Sequence, residues 1–146
     1  MTRAPAATNP NNASMSKTDR PFDPGREQYV SLATYRRNGQ EVRTPVWLAE
    51  VDARYYLFSE GKAGKVKRIR ANGRARLAAC DFRGKVKSDW LPAHGRIVTD
   101  VDLIERVYAA LRRKYGWQMR IGDFFSKLVG RYDKRAILEF EPIDAA

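Results

Sequence analysis

Apolar and polar residues alternate with a period of two over much of this chain, in short runs separated by turn residues. Tyr29–Tyr35 (YVSLATY) is β-branched and aromatic, and Arg37-Asn38-Gly39-Gln40 supplies an Asn-Gly turn suited to a hairpin. The return strand is expected over residues 42–51, with Thr44-Pro45-Val46-Trp47-Leu48 at its centre. Pro45 has no N–H, which places an edge or a bulge there. A turn at Asp52-Ala53 leads to a third strand over residues 55–59. Three consecutive antiparallel strands of this kind predict a meander.

The period then changes. In residues 62–72 (KAGKVKRIRAN), Val66 and Ile69 fall at helical spacing, and Asn72-Gly73 reads as a C-cap. A strand follows over residues 75–81. After the turn at Arg83-Gly84, residues 85–90 and 95–98 read as one long strand interrupted at Leu91-Pro92. The clearest helix covers residues 101–115, where Ile104, Val107, Tyr108, Leu111 and Tyr115 form one apolar stripe. Thr99 or Asp100 caps its start, and Gly116 closes it. A second helix is expected over residues 124–129, and a last strand over residues 135–141. Six antiparallel strands with few helices predict a mainly β protein, a β-barrel. The second and third strands are apolar on both faces, which fits a barrel interior on one side and a subunit contact on the other.

Residues 1–25 lack this periodicity. They hold four of the seven prolines and the Asn-Pro-Asn-Asn cluster at 9–12, so they are expected to be a disordered tail ahead of one domain over residues 26–146. The tail has no apolar core of the kind a secretory signal needs, and no apolar run approaches the roughly 20 residues that span a bilayer. No membrane association and a cytoplasmic location are therefore expected. With 146 residues, of which 43% are hydrophobic and 11% aromatic, the chain can build one core. A single cysteine, Cys80, rules out an internal disulfide and a cysteine-based zinc site, and a single histidine, His94, leaves no multi-histidine metal centre.

Charge adds a direction. There are 28 Lys+Arg against 17 Asp+Glu, a formal net charge of +11. Such a balance suits nucleic acid, where phosphate neutralisation releases counterions, and equally any phosphorylated ligand. The densest basic stretch, residues 61–76, carries Lys62, Lys65, Lys67, Arg68, Arg70, Arg74 and Arg76 and no acid. Its start coincides with a helix N-terminus, whose free N–H groups favour an anion; a solvated basic helix face is the other reading. The phosphate-loop spacing GxxxxGK[ST] is absent. Cys80 lacks a visible base and reads as a packed small hydrophobe.

The Asn-Gly turn, the Thr-Pro-Val-Trp strand, the aromatic strand ending in Ser59, the Gly-Lys-Val-Lys-Arg-Ile helix and the Ala-Arg-Leu-Ala-Ala-Cys strand occur in that order. Together they resemble the flavin/deazaflavin oxidoreductases with the pyridoxamine-phosphate-oxidase-like, FMN-binding split β-barrel, in particular the small actinobacterial enzymes that depend on deazaflavin coenzyme F420. The resemblance covers residues 27–141. It implies a homodimer with the cofactor in a groove between subunits. Arg43, Thr44, Pro45, Val46 and Trp47 would then line the cofactor ring; Ser59, Lys65 and Arg68 would face its phosphate, with Lys62 and Lys67 as neighbours. Two departures matter. The Arg-rich C-terminal substrate motif of pyridoxamine-phosphate oxidases is missing, since the chain here reads Glu139-Phe140-Glu141-Pro142, and Gly64 precedes Lys65 where many flavin-binding relatives have Arg.

What the resemblance implies is hydride transfer between F420 and a small unsaturated organic acceptor, such as a tetrapyrrole like biliverdin, a quinone or an enone. FMN is the alternative cofactor. A basic nucleic-acid-binding module is the rival of another class, although no helix-turn-helix, zinc finger or RNP1-like signature appears.

Overall fold

Seven strands and two helices carry the chain in the computed structural model, which describes residues 16–121 and 135–144. The strands are β1 (Tyr29–Tyr35), β2 (Glu41–Val46), β3 (Ala49–Val51), β4 (Arg54–Glu60), β5 (Arg74–Cys80), β6 (Leu91–Val98) and β7 (Arg135–Pro142); the helices are α1 (Gly64–Asn72) and α2 (Val101–Ile121). All neighbours pair antiparallel, in the order β2-β1-β5-β6-β7-β4-β3. The architecture is a mainly β, curled half-barrel, as the alternation predicts.

The order corrects the expected meander. Residues 42–51 are two strands rather than one, and β2 and β3 lie at opposite edges of the sheet. Trp47 and Leu48 join these edges, so the sheet is curled back on itself at that point. Pro45 sits on edge strand β2, where the missing donor breaks no ladder between two neighbours. Leu48 leaves the ladder, yet its buried backbone is satisfied by side chains of α2. Its N–H donates to Tyr115 Oη at 3.1 Å, and its carbonyl accepts from Lys114 Nζ at 2.7 Å.

Alternation along the strands divides two cores. Facing inward are Val30, Leu32, Leu57, Leu77, Leu91, Leu138 and Phe140, closed at one side by Val66 and Ile69 of α1. Facing outward, Ala49, Val51, Tyr56 and Ile137 are covered by Val107, Ala110, Leu111 and Tyr115 of α2. The second apolar face of β3 and β4, read from the sequence as a subunit contact, is thus occupied within the chain. The amphipathic stripe of α2 needed an apolar floor, and this was the one available.

Helix ends follow their local signals. Gly73 takes the left-handed conformation (φ 71°) and its N–H bonds the Ile69 carbonyl at 2.9 Å, closing α1. Asp100 starts α2, accepting from the Asp102 N–H at 3.0 Å. Gly116 (φ 24°, ψ −103°) breaks α2 where the sequence ended it, but helical residues resume beyond it to Ile121. A further correction concerns residues 85–90, which form only a single bridge, Cys80 with Val86; Leu91-Pro92 begins β6 instead of interrupting a strand. The helix expected over 124–129 lies outside the described residues. Of the expected tail, residues 16–25 lie against the barrel: Phe22 packs on the inner core, Pro24 is buried, and Lys17 pairs with Glu50 at 2.8 Å.

Gly95 is where α1 meets the sheet. A Cβ there would lie 2.9 Å from Ile69 Cδ1 and 2.8 Å from Phe140 Cε1. Gly95→Ala is therefore expected to lower stability by about 1–3 kcal/mol through overpacking, read as a reduced urea midpoint at unchanged m-value.

Candidate functional site

One pocket of about 280 Å³ lies at the seam where the sheet edges meet, lined by Tyr29, Pro45, Val46, Trp47, Phe58, Lys65 and Phe82. Its walls are apolar and largely aromatic because residues from β1, β2 and β4 converge on the Trp47–Leu48 crossing. Trp47 stacks on Tyr115 with ring centroids 4.4 Å apart and planes at 6°. The Tyr115 hydroxyl accepts from Leu48 N–H and is within donating distance of the carbonyls of Gln28 (3.0 Å) and Leu48 (3.2 Å). Burial raises the Tyr115 phenol pKa, so it stays protonated. Beside it, burial lowers Lys114 to about 8 while its ammonium bonds the Leu48 and Pro24 carbonyls. The end of α2 thereby holds the pocket's main aromatic wall.

The cationic end of the pocket is Lys65, in the first turn of α1. No side chain caps this helix and no acid occupies its first turn, so its N-terminal dipole end is left for an external anion. Lys65 has no ion-pair or hydrogen-bond partner among the described residues. Burial lowers its pKa, and nearby Arg68 lowers it further. Arg68 is tethered by its Nε to Thr34 Oγ1 at 2.7 Å, and its guanidinium lies over Gly64, where a Cβ would stand 2.7 Å from Nη1. The absence of a side chain at position 64 is what gives the guanidinium this space.

Of the residues singled out from the sequence, Pro45, Val46, Trp47 and Lys65 come together in this pocket. Thr44 is half-buried on β2 opposite Leu32. Arg43 turns elsewhere: its Nε bonds Glu41 at 2.7 Å, and its guanidinium lies 4.8 Å from the Trp90 ring centroid, with Arg76 at 4.5 Å. Partial burial pushes Glu41 up, but hydrogen bonds from Tyr35, Arg76 and Arg43 outweigh it and bring the carboxyl down to about 2. Ser59 is buried and donates to the Glu60 carbonyl at 3.2 Å. Lys62 and Lys67 are exposed. Three wall residues escape sequence reasoning. Tyr29 and Phe58 look like ordinary strand alternation; Phe82 carried a signal, an aromatic placed inside a turn.

Other chemistry is sparse among the described residues. No group of three His, Cys, Asp or Glu could hold a metal ion, and no helix is long and apolar enough to cross a membrane. Cys80 is buried, and burial, then Asp81, raises its thiol, which suppresses the thiolate that reactivity needs.

No family model matches the chain, and no curated protein matches it in sequence. Solved structures do match in fold. HutZ, a haem storage protein of Vibrio cholerae, superposes with a TM-score of 0.65 at 15% identity, covering 84% of this chain and 86% of its own. An FAD-binding protein of Mesorhizobium loti gives 0.60 at 16%, covering 90% and 92%. An F420 reductase gives 0.52 at 20%, covering 82% and 90%. The fold is a split β-barrel of the pyridoxamine-phosphate-oxidase type. In this split barrel the pocket lies at the seam, next to the start of α1, with Tyr115 of α2 stacked behind Trp47.

Proposed function

We propose that this split barrel is an oxidoreductase that binds deazaflavin coenzyme F420 in the Trp47–Lys65 pocket and passes a hydride to a small unsaturated organic acceptor, with FMN as the alternative cofactor. One observation carries the reading: an aromatic-walled pocket ends at a half-buried ammonium that lacks a counter-ion among the described residues, beside an uncapped helix N-terminus. A flat fused ring bearing a phosphate matches that arrangement of apolar wall and cationic end. The FAD-binding and F420 reductase proteins of the same fold support the cofactor class.

The residues present fit such a group. Pro45, Val46 and Trp47 would wall the ring, with Arg43 and Thr44 alongside on β2. Lys65 and Arg68 would hold the phosphate, near Ser59, and exposed Lys62 and Lys67 would follow the anionic tail of F420. When bound, the reduced cofactor supplies the hydride, and solvent supplies the proton that completes reduction of the acceptor. The protein's part is to orient the ring through the Tyr115-backed Trp47 and to exclude water from one face. A parallel titration of the protein with F420 and FMN, followed by visible absorbance and fluorescence, tests this. Saturable spectral change with F420 at micromolar concentration supports it; no change with either cofactor refutes it.

Two expected results follow from the same geometry. Exposed charges are screened within a Debye length of roughly 8 Å at physiological ionic strength. If Lys62 and Lys67 track the oligoglutamate tail, F420 affinity falls more steeply with salt than FMN affinity, and Lys62→Glu with Lys67→Glu flattens that difference. Equal salt slopes would move FMN to the front. The second concerns assembly. The resemblance places the cofactor in a groove between two subunits, so the other wall of the pocket is assigned to a second copy of the chain. Sedimentation should show a dimer, and a concentration-independent monomer would remove the intersubunit site.

A further inference from the structure

We infer that Phe82 is the acceptor-selecting wall of this pocket, stacking planar conjugated acceptors; the inference rests on the reading of the pocket as a flavin-type redox site. Phe82 lines the pocket yet leaves 65% of its surface in water, one of two large hydrophobic side chains so exposed among the described residues. With so much of the ring accessible, a flat ligand entering the pocket can stack on it.

Its position is built. The Asp81 carboxylate accepts from the N–H groups of Arg83 and Lys85, both at 2.9 Å, while the Gly84 N–H bonds the Asp81 carbonyl at 2.9 Å and the Asp81 N–H bonds the Lys85 carbonyl at 3.1 Å. Gly84 adopts φ 92°, and a Cβ there would stand 3.8 Å from Cγ and Cδ of Pro45, which itself lines the pocket. The turn therefore presents the Phe82 ring from a fixed base at the pocket mouth. Tyr29 and Phe58 supply other aromatic walls of the pocket, while Trp47 is assigned to the cofactor ring. Arg83 lies 5.4 Å from the Phe82 ring centroid, so a ligand stacked here meets a cation as well. A planar conjugated acceptor bearing carbonyl or carboxylate oxygens satisfies both; a small aliphatic enone uses neither.

The test compares Phe82→Ala and Phe82→Tyr with the parent protein loaded with reduced F420. Two acceptors are used, 1,4-naphthoquinone and cyclohexenone. Phe82→Ala should raise KM for naphthoquinone about tenfold more than KM for cyclohexenone and be rescued by Phe82→Tyr, with the F420 dissociation constant measured alongside. An equilibrium arm, quenching of intrinsic tryptophan fluorescence by naphthoquinone in cofactor-free protein, should show the same tenfold loss. That arm stands even if neither cofactor binds, which separates failure of the acceptor wall from failure of the redox reading. Equal losses for both acceptors, or unchanged quenching by Phe82→Ala, would overturn the assignment. So would a tenfold loss of F420 affinity, which makes Phe82 a cofactor contact, or a smaller species in sedimentation, which makes it a subunit contact.

Discussion

Replacing Lys65 with alanine is expected to weaken F420 binding by about 1.5–3 kcal/mol, the range for a hydrogen bond to a charged group, or roughly ten- to a hundredfold. The cost falls on binding and not on folding. In the free protein the Lys65 ammonium is half-buried without a counter-ion among the described residues, and burial together with Arg68 lowers its pKa. A lysine whose folded pKa is depressed contributes most to stability above its ordinary value near 10.5, and that contribution is lost as pH falls through the folded pKa. At neutral pH the residue is therefore a small burden on the fold, and Lys65→Ala should leave the melting temperature equal or higher. An anion beside Lys65 would reverse the shift, so binding in the alkaline range should take up a proton in the parent and none in the variant. Calorimetry in two buffers of different ionisation enthalpy measures that proton. Unchanged affinity in Lys65→Ala would place the phosphate elsewhere.

Tyr115→Ala is expected to be the most damaging single change to the fold near the site, at about 3–5 kcal/mol for removing a large buried aromatic. The ring is 1% exposed and stacks on Trp47, and its hydroxyl serves backbone groups of Gln28 and Leu48. Tyr115→Phe separates the two contributions. It keeps the stacked ring but strands the Leu48 N–H, a loss of about 1–3 kcal/mol. Urea unfolding gives both values. F420 affinity gives a second readout: it should fall further in Tyr115→Ala than in Tyr115→Phe, because only the former frees the Trp47 ring. Equal affinity losses would mean that the hydroxyl's hold on Leu48, and not the stack, positions Trp47.

The candidate site was partly legible before the fold was known. Lys65 stood out as a cation in the first turn of an acid-free segment, whereas Pro45, Val46 and Trp47 were placed at the site by the family resemblance. The resemblance placed Arg43 along the cofactor ring, whereas in the fold its side chain pairs with Glu41 and lies over Trp90. Strand alternation puts Arg43 and Pro45 on the same face, so position along β2 rather than side decides which of them reaches the pocket. That depends on how the far edge of the sheet approaches, which no local pattern encodes.

By itself the sequence determined the elements whose causes are local. Asn38-Gly39 turns β1 into β2, Asn72-Gly73 ends α1 through a left-handed glycine, and the Ile104–Tyr115 stripe makes α2 amphipathic. Only the tertiary structure decided that residues 42–51 divide, because each half is held by a different neighbour, β2 by β1 and β3 by β4, and those neighbours lie far apart in the sheet. It likewise decided that Trp47 and Leu48 bridge the two edges, with Tyr115 and Lys114 supplying the hydrogen bonds the ladder no longer provides. The pocket arises at that crossing. Its walls come from positions 29, 45–47, 58, 65 and 82, whose proximity is created by closure of the sheet and by nothing shorter in range.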